Sequence, residues 1–92
     1  DKGVFIRSKN INVQKLLNQD LDGKIGVGYT ATKKIGNAVK RNKAKRIMRE
    51  LAKKILIKGK TNTYYVLIAK LSILDTKFKT LLEEMESIIH VK

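Results

Sequence analysis

Ten cations, Lys33, Lys34, Lys40, Arg41, Lys43, Lys45, Arg46, Arg49, Lys53 and Lys54, crowd between positions 33 and 54, where Glu50 is the single acid. That stretch carries nine of the formal net charge of +13, and the rest of the 92-residue chain carries four. Wound as a helix at about 100° per residue, the segment puts Ala44, Ile47, Met48, Leu51 and Ile55 on one side. Lys45, Arg49, Asn42, Lys53, Arg46, Lys43 and Lys54 sweep round the opposite arc. Asn42, Arg46, Arg49 and Lys53 follow one another at i, i+4, i+7 and i+11, so they line one flank. Neighbouring like charges repel by a few tenths of a kcal/mol per close pair. A polyanion converts that repulsion into attraction by releasing counterions. Phosphate binding, and RNA or DNA as partner, is the chemistry these residue types predict, against the plainer reading of a solvated helix face.

Catalysis by the chain itself finds little material. Two-metal phosphodiester cleavage needs carboxylates converging on one point, whereas the eight acids are scattered and only Glu83, Glu84 and Glu86 cluster. Those three fall on the polar side of an amphipathic stretch, where solvation is their expected role. His90, the sole histidine, stands near the C-terminus without partners for acid–base work. The absence of cysteine removes disulfides, thiolate catalysis and Cys-based zinc sites and is consistent with an intracellular protein. No apolar run approaches the roughly 20 residues that cross a bilayer, so no membrane is expected.

The elements that must hold the arc can be read in order. Residues 3 to 8, GVFIRS, suit a short strand with Val4 and Ile6 on one face and Phe5 and Arg7 on the other. A ring beside a guanidinium is the pairing that stacks on and neutralises single-stranded RNA; Phe5 as plain core is the competing reading. Residues 9 to 24 have Val13, Leu16, Leu17 and Leu21 at helical spacing, which allows a short helix before the Asp22-Gly23 turn. IGVGYTAT, 25 to 32, alternates as a strand: Ile25, Val27, Tyr29 and Ala31 face the core, and Gly26, Gly28, Thr30 and Thr32 make a flat floor. Either a nucleic-acid or protein backbone approaches that floor, or a helix packs over it. Gly36 and Asn37 stop one element and cap the next, a helix from about Ala38 to Lys58 ended by Gly59. Its N-terminal amides, flanked by Lys33, Lys34, Lys40 and Arg41, add a phosphate site. Thr61 to Lys70 predicts a central strand covered on both faces, with Tyr64 and Tyr65 in packing roles. Asp75 is expected to cap a last helix whose Phe78, Leu81, Leu82, Met85, Ile88 and Ile89 pack on the sheet.

IGVGYTATKKIGNAVKRNKAKRIMRE, 25 to 50, closely resembles the signature region of the bacterial ribonuclease P protein component. A small-residue strand (26 to 32) ends in the basic pair Lys33-Lys34, a Gly36-to-Val39 turn follows, and a helix opens with Arg41, Asn42 and Lys43, where the family has Arg at the third position. Lys45-Arg46 and Arg49-Glu50 also match, and the similarity extends over roughly residues 3 to 90. The resemblance implies an α+β fold: one small α/β sandwich like ribosomal protein S5 domain 2, a mixed sheet whose basic helix makes a left-handed βαβ crossover, and a C-terminal amphipathic helix. It also implies a single RNA-binding domain over 1–92. The helix and strand that family members usually carry before this point, with aromatics that help form a leader cleft, are not recognisable here.

By the same resemblance the chain is the accessory subunit of a cytoplasmic endoribonuclease in which RNA holds the catalytic Mg²⁺. Its expected partners are ribonuclease P RNA and precursor tRNA, as a monomer in a 1:1 ribonucleoprotein. Lys33, Lys34, Asn37, Lys40, Arg41, Asn42, Lys45, Arg46, Arg49 and Lys53 would bind the RNA, and Phe5, Arg7, Tyr29 and Thr30 the 5′ leader. A ribosomal or other structural RNA-binding protein is the alternative; a helix-groove DNA binder is disfavoured because a strand, not a second helix of a helix-turn-helix, follows the basic segment.

Overall fold

A computed structural model describes residues 3–17, 19–56 and 61–90. Four strands, β1 (Val4–Ile6), β2 (Ile11–Leu17), β3 (Ile25–Thr30) and β4 (Thr63–Ala69), form one mixed sheet in the order β1-β2-β4-β3. The β1/β2 and β2/β4 pairs are antiparallel, β3 and β4 are parallel, and helix α1 (Ala38–Ile55) is the crossover between them. Helix α2 (Phe78–Ile89) closes the chain and packs beside α1. The architecture is the small α+β domain that the signature region predicts.

Strand alternation and register sort every strand residue onto one of two faces. Ile11 and Val13 of β2, Ile25, Val27 and Tyr29 of β3, and Tyr65, Leu67 and Ala69 of β4 share the helix side. There they meet Ala44, Met48, Leu51 and Ile55 of α1 and Leu81, Met85 and Ile88 of α2 in one core. Neither α1 nor α2 packs over the opposite face, where Leu21 of a 3₁₀ turn over Gln19–Leu21 reaches Gly26.

Several boundaries and one element differ from expectation. Residues 11–17 form a strand, not a helix, because β2 is hydrogen-bonded along both edges and the Ile11/Val13 alternation feeds the core. The helical spacing of Val13 and Leu16 is incidental, since the pleat points them to opposite faces. β4 is central, as expected, but not sheathed on both sides: Thr63, Tyr65, Leu67 and Ala69 are buried, whereas Tyr64, Val66 and Ile68 are only half-buried on the open face. Asp75 does not cap α2. It ends a 3₁₀ turn over Leu71–Asp75, and Lys77 precedes the helix without a side-chain cap. Thr76 ties that corner instead, its hydroxyl proton shared between the Ser72 carbonyl (2.7 Å) and the Asn10 Oδ1 (3.0 Å). α1 runs to Ile55 with Leu56 at its cap; Gly59, read as its terminator, lies outside the described residues.

Glu84 is the other departure. It is not a solvated acid of α2: its carboxylate accepts from Ser8 Oγ (2.6 Å), the Asn10 backbone N–H (2.9 Å) and Asn10 Nδ2 (2.7 Å). Burial opposes its ionisation, yet those donors together with the Ile11 N–H outweigh burial and hold the carboxyl below its ordinary value. The loop between β1 and β2 is thereby pinned to the last helix.

Candidate nucleic-acid interface

The basic surface begins where β3 ends. Thr32 caps a 3₁₀ turn over Lys33–Ile35, with its Oγ1 accepting from the Lys34 N–H, and only Ile35 of that turn is buried. The two lysines are thereby pushed outward. Gly36 then takes φ 134°, a conformation L side chains rarely adopt. Asn37 caps α1 by accepting from the Lys40 N–H at 3.0 Å. Eighteen residues of helix follow, about 27 Å of cationic rod.

Lys33, Lys34, Asn37, Lys40, Asn42, Lys43, Arg46, Arg49, Lys53 and Lys54 are exposed, and Arg41 and Lys45 are half-buried. Ala44, Met48, Leu51, Ala52 and Ile55 are buried beneath them, so the apolar stripe anchors the helix and leaves the charged arc to solvent. Among the described residues this arc has one ion pair, Lys53 with Glu50 at 3.6 Å, between exposed side chains and therefore weak. Asn42, Arg46 and Arg49 are exposed rather than turned inward, and none of them is ion-paired with an acid among the described residues.

The open sheet face is the second surface. Register aligns Phe5, Gln14, Val66 and Gly28 across it, and next to that row Asn12, Ile68 and Thr30. Phe5 is 46 % exposed, so its ring is not core, and the Arg7 guanidinium stands 5.6 Å from the ring centre. Thr30 is on this face too. Tyr29 is not: its alternation with Thr30 turns the ring to the helix side, where it packs against the core and meets Arg49, 5.8 Å from the ring centre. The four residues expected along a leader are therefore split between two faces. The glycine floor is also covered, by side chains rather than by an α-helix, with Leu21 beside Gly26. The Tyr64 ring lies across Gly26 and Gly28, and a Cβ on Gly28 would sit 2.6 Å from its hydroxyl.

A groove of about 760 Å³ opens at the end of this face. Asn12 and Ile68 line it together with Lys33, Lys34, Lys70 and Leu71. Lys70 also donates to the Ser8 carbonyl at 2.6 Å, which joins it to the pinned loop. Asn12 and Lys70 are groove residues that sequence reasoning missed: pairing of β2 with β4 places Asn12 beside Ile68, and Lys70 directly follows β4. No group of three or more His, Cys, Asp or Glu that could hold a metal ion occurs among the described residues, and no helix there is long and apolar enough to cross a membrane. Charge neutralisation and stacking are what this arrangement offers.

The family model for Ribonuclease P matches residues 1–91. A ribonuclease P protein component of Caulobacter vibrioides is 46% identical over 59 residues, 63% of this chain and 40% of that protein. One from Thermoanaerobacter sp. is 30% identical over 91 residues, 96% of this chain and 78% of the relative. Among solved structures, the Staphylococcus aureus RNase P protein superposes with a TM-score of 0.77 at 26% identity, over 95% of this chain and 78% of that one. The match to the Caulobacter relative thus spans less than half of that protein's length. With the signature region laid out along β3, the turn after it and α1, the chain belongs to the family of bacterial ribonuclease P protein components.

Proposed function

We propose that the chain is the protein subunit of a ribonuclease P and assists removal of the 5′ leader from precursor tRNA. The outer arc of α1 docks the ribonuclease P RNA through phosphates, with Lys40, Arg41, Asn42, Lys45, Arg46, Arg49 and Lys53 as its contacts. The open sheet face, with Phe5, Arg7 and Thr30, lies along the single-stranded leader. Phosphate contacts position and carry little sequence information, so the protein acts by holding two RNAs in register and neutralising their charge.

One observation supports this reading above the others: Lys33 and Lys34 border both the groove on the sheet face and the N-terminal end of α1. A leader on the sheet and a folded RNA on the helix would meet at that lysine pair, where repulsion between the two polyanions is greatest. In this reading the catalytic Mg²⁺ belongs to the RNA, and the lysines lower the concentration of free Mg²⁺ that the complex needs. The complex is a 1:1 ribonucleoprotein in the cytoplasm.

Reconstitution with a bacterial ribonuclease P RNA at low Mg²⁺ tests it, with release of the 5′ leader as the readout. The unsubstituted chain is expected to stimulate release. Arg46→Glu combined with Arg49→Glu is expected to abolish assembly without unfolding the domain, since both side chains are exposed. Undiminished assembly by that double variant refutes the assignment of the α1 arc.

A further inference from the structure

Arg49 is an exposed residue in the middle of the cationic arc, and the ring beneath it belongs to another element. Its guanidinium carbon lies 5.8 Å from the centre of the Tyr29 ring. Tyr29 is held firmly: β3 pairs it with Leu67 of β4, and its ring is half-buried against the core. Burial raises the phenol's pKa, with Arg49 pulling the other way, so the ring is neutral at physiological pH. Arg49 has no comparable restraint from an acid, because no carboxylate among the described residues lies within ion-pair distance of it.

The difference between a ring and a carboxylate as the holder matters for what Arg49 can do next. A carboxylate would fix the guanidinium by occupying its N–H donors, and a phosphate would then have to displace it. An aromatic ring attracts the cation through its quadrupole and leaves those donors for a phosphate. An arginine restrained before binding also loses less side-chain freedom when it binds. Tyr29 faces away from the open sheet surface, so it reaches no leader there, and its polar neighbour is the arginine.

We infer that Tyr29 is a positioning residue for RNA recognition: its ring sets the Arg49 guanidinium in place for a phosphate of the RNA docked on α1. This rests on the function proposed above. It replaces leader contact by Tyr29 with an indirect role on the opposite side of the sheet.

A double-mutant cycle on RNA binding tests it, using the full chain, ribonuclease P RNA, and Tyr29→Leu, Arg49→Gln and their combination. Tyr29→Leu is expected to weaken binding roughly two- to five-fold, the size of an exposed cation–π contact, and to have no effect once Arg49 is Gln. Tyr29→Phe keeps the ring and is expected to bind as the unsubstituted chain does. The slope of log affinity against log salt stays unchanged in Tyr29→Leu, whereas Arg49→Gln makes it shallower by about 0.7–0.9, one phosphate contact. If Leu at this position unfolds the domain, Tyr29→Met takes its place as a flexible filler without a ring. Equal losses with and without Arg49, no loss at all, or an Arg49→Gln variant that binds normally overturns the positioning role while the unsubstituted chain still binds. Failure of the unsubstituted chain to bind overturns the proposed function and this role with it.

Discussion

Glu84 makes the sharpest test of how the fold holds its open sheet face. Its carboxylate collects Ser8 Oγ, the Asn10 N–H and Asn10 Nδ2 within 2.6–2.9 Å, and Asn10 is only 2 % exposed. Glu84→Ala therefore strands two donors of a buried residue, at roughly 1–3 kcal/mol for each unsatisfied group, less what water recovers. A net loss of about 3 kcal/mol is a large share of the roughly 5–15 kcal/mol that such a domain has. At about 4–8 °C per kcal/mol for a domain of this size, the melting temperature should fall by roughly 12–24 °C. The pH dependence has a fixed sign. Because the donors hold the folded-state pKa below the unfolded value, the stabilisation is complete above the unfolded value and fades as pH falls through the folded one. Glu84→Gln cannot ionise, so its deficit relative to the unsubstituted chain should shrink on acidification over that window. Thermal and urea unfolding from neutral to strongly acidic pH measure both effects. A Glu84→Ala variant within about 0.5 kcal/mol of the parent, the ordinary range for an exposed surface change, would refute the latch.

Two further substitutions separate packing from charge. Gly28→Ala would stabilise a free strand position by roughly 0.4–1 kcal/mol, but here the new Cβ meets the Tyr64 hydroxyl at 2.6 Å, so a loss of about 1–3 kcal/mol is expected in urea unfolding, relieved when Tyr64→Ala is added. Asn37→Ala removes the cap on Lys40 N–H and should cost about 1 kcal/mol by thermal unfolding, whereas Asn37→Asp keeps an acceptor there and should hold stability while weakening RNA binding.

How far the chain could be read before folding depends on the sequence distance between interacting residues. α1 was legible because its signals are local: the Gly36-Asn37 boundary, the apolar positions at three- and four-residue spacing, and the one-signed arc all lie within a few turns. The last helix was legible for the same reason, from local periodicity, whereas the crossover of α1 between β3 and β4 followed only from the family resemblance. β2 was not, since its apolar residues fit two periods and only pairing with β1 and β4 decides between them. Glu84 was unreadable in principle: its partners lie 74 and 76 positions away, and no pattern within α2 distinguishes it from Glu83. For Tyr29, alternation along β3 already pointed the ring at the core, and the strand register upheld that alternation against its grouping with Phe5 and Thr30.

The same distinction separates the two candidate surfaces. The arc on α1 is a property of one segment, so it persists wherever that helix packs. The sheet surface is assembled from all four strands and the turn after β3, and it exists only when the strands are in register. Loss of tertiary order should therefore silence leader recognition before RNA docking. The Glu84 latch acts on the first of these: it fixes the loop that follows Phe5 and Arg7 and whose Ser8 carbonyl holds Lys70 at the groove. A latch variant that remains folded should consequently lose affinity for a single-stranded leader while α1, capped by its own Asn37 and seated on its own apolar stripe, keeps its affinity for the larger RNA. Equal losses on both ligands, measured side by side below the variant's melting temperature, would show that the two surfaces are a single cooperative unit.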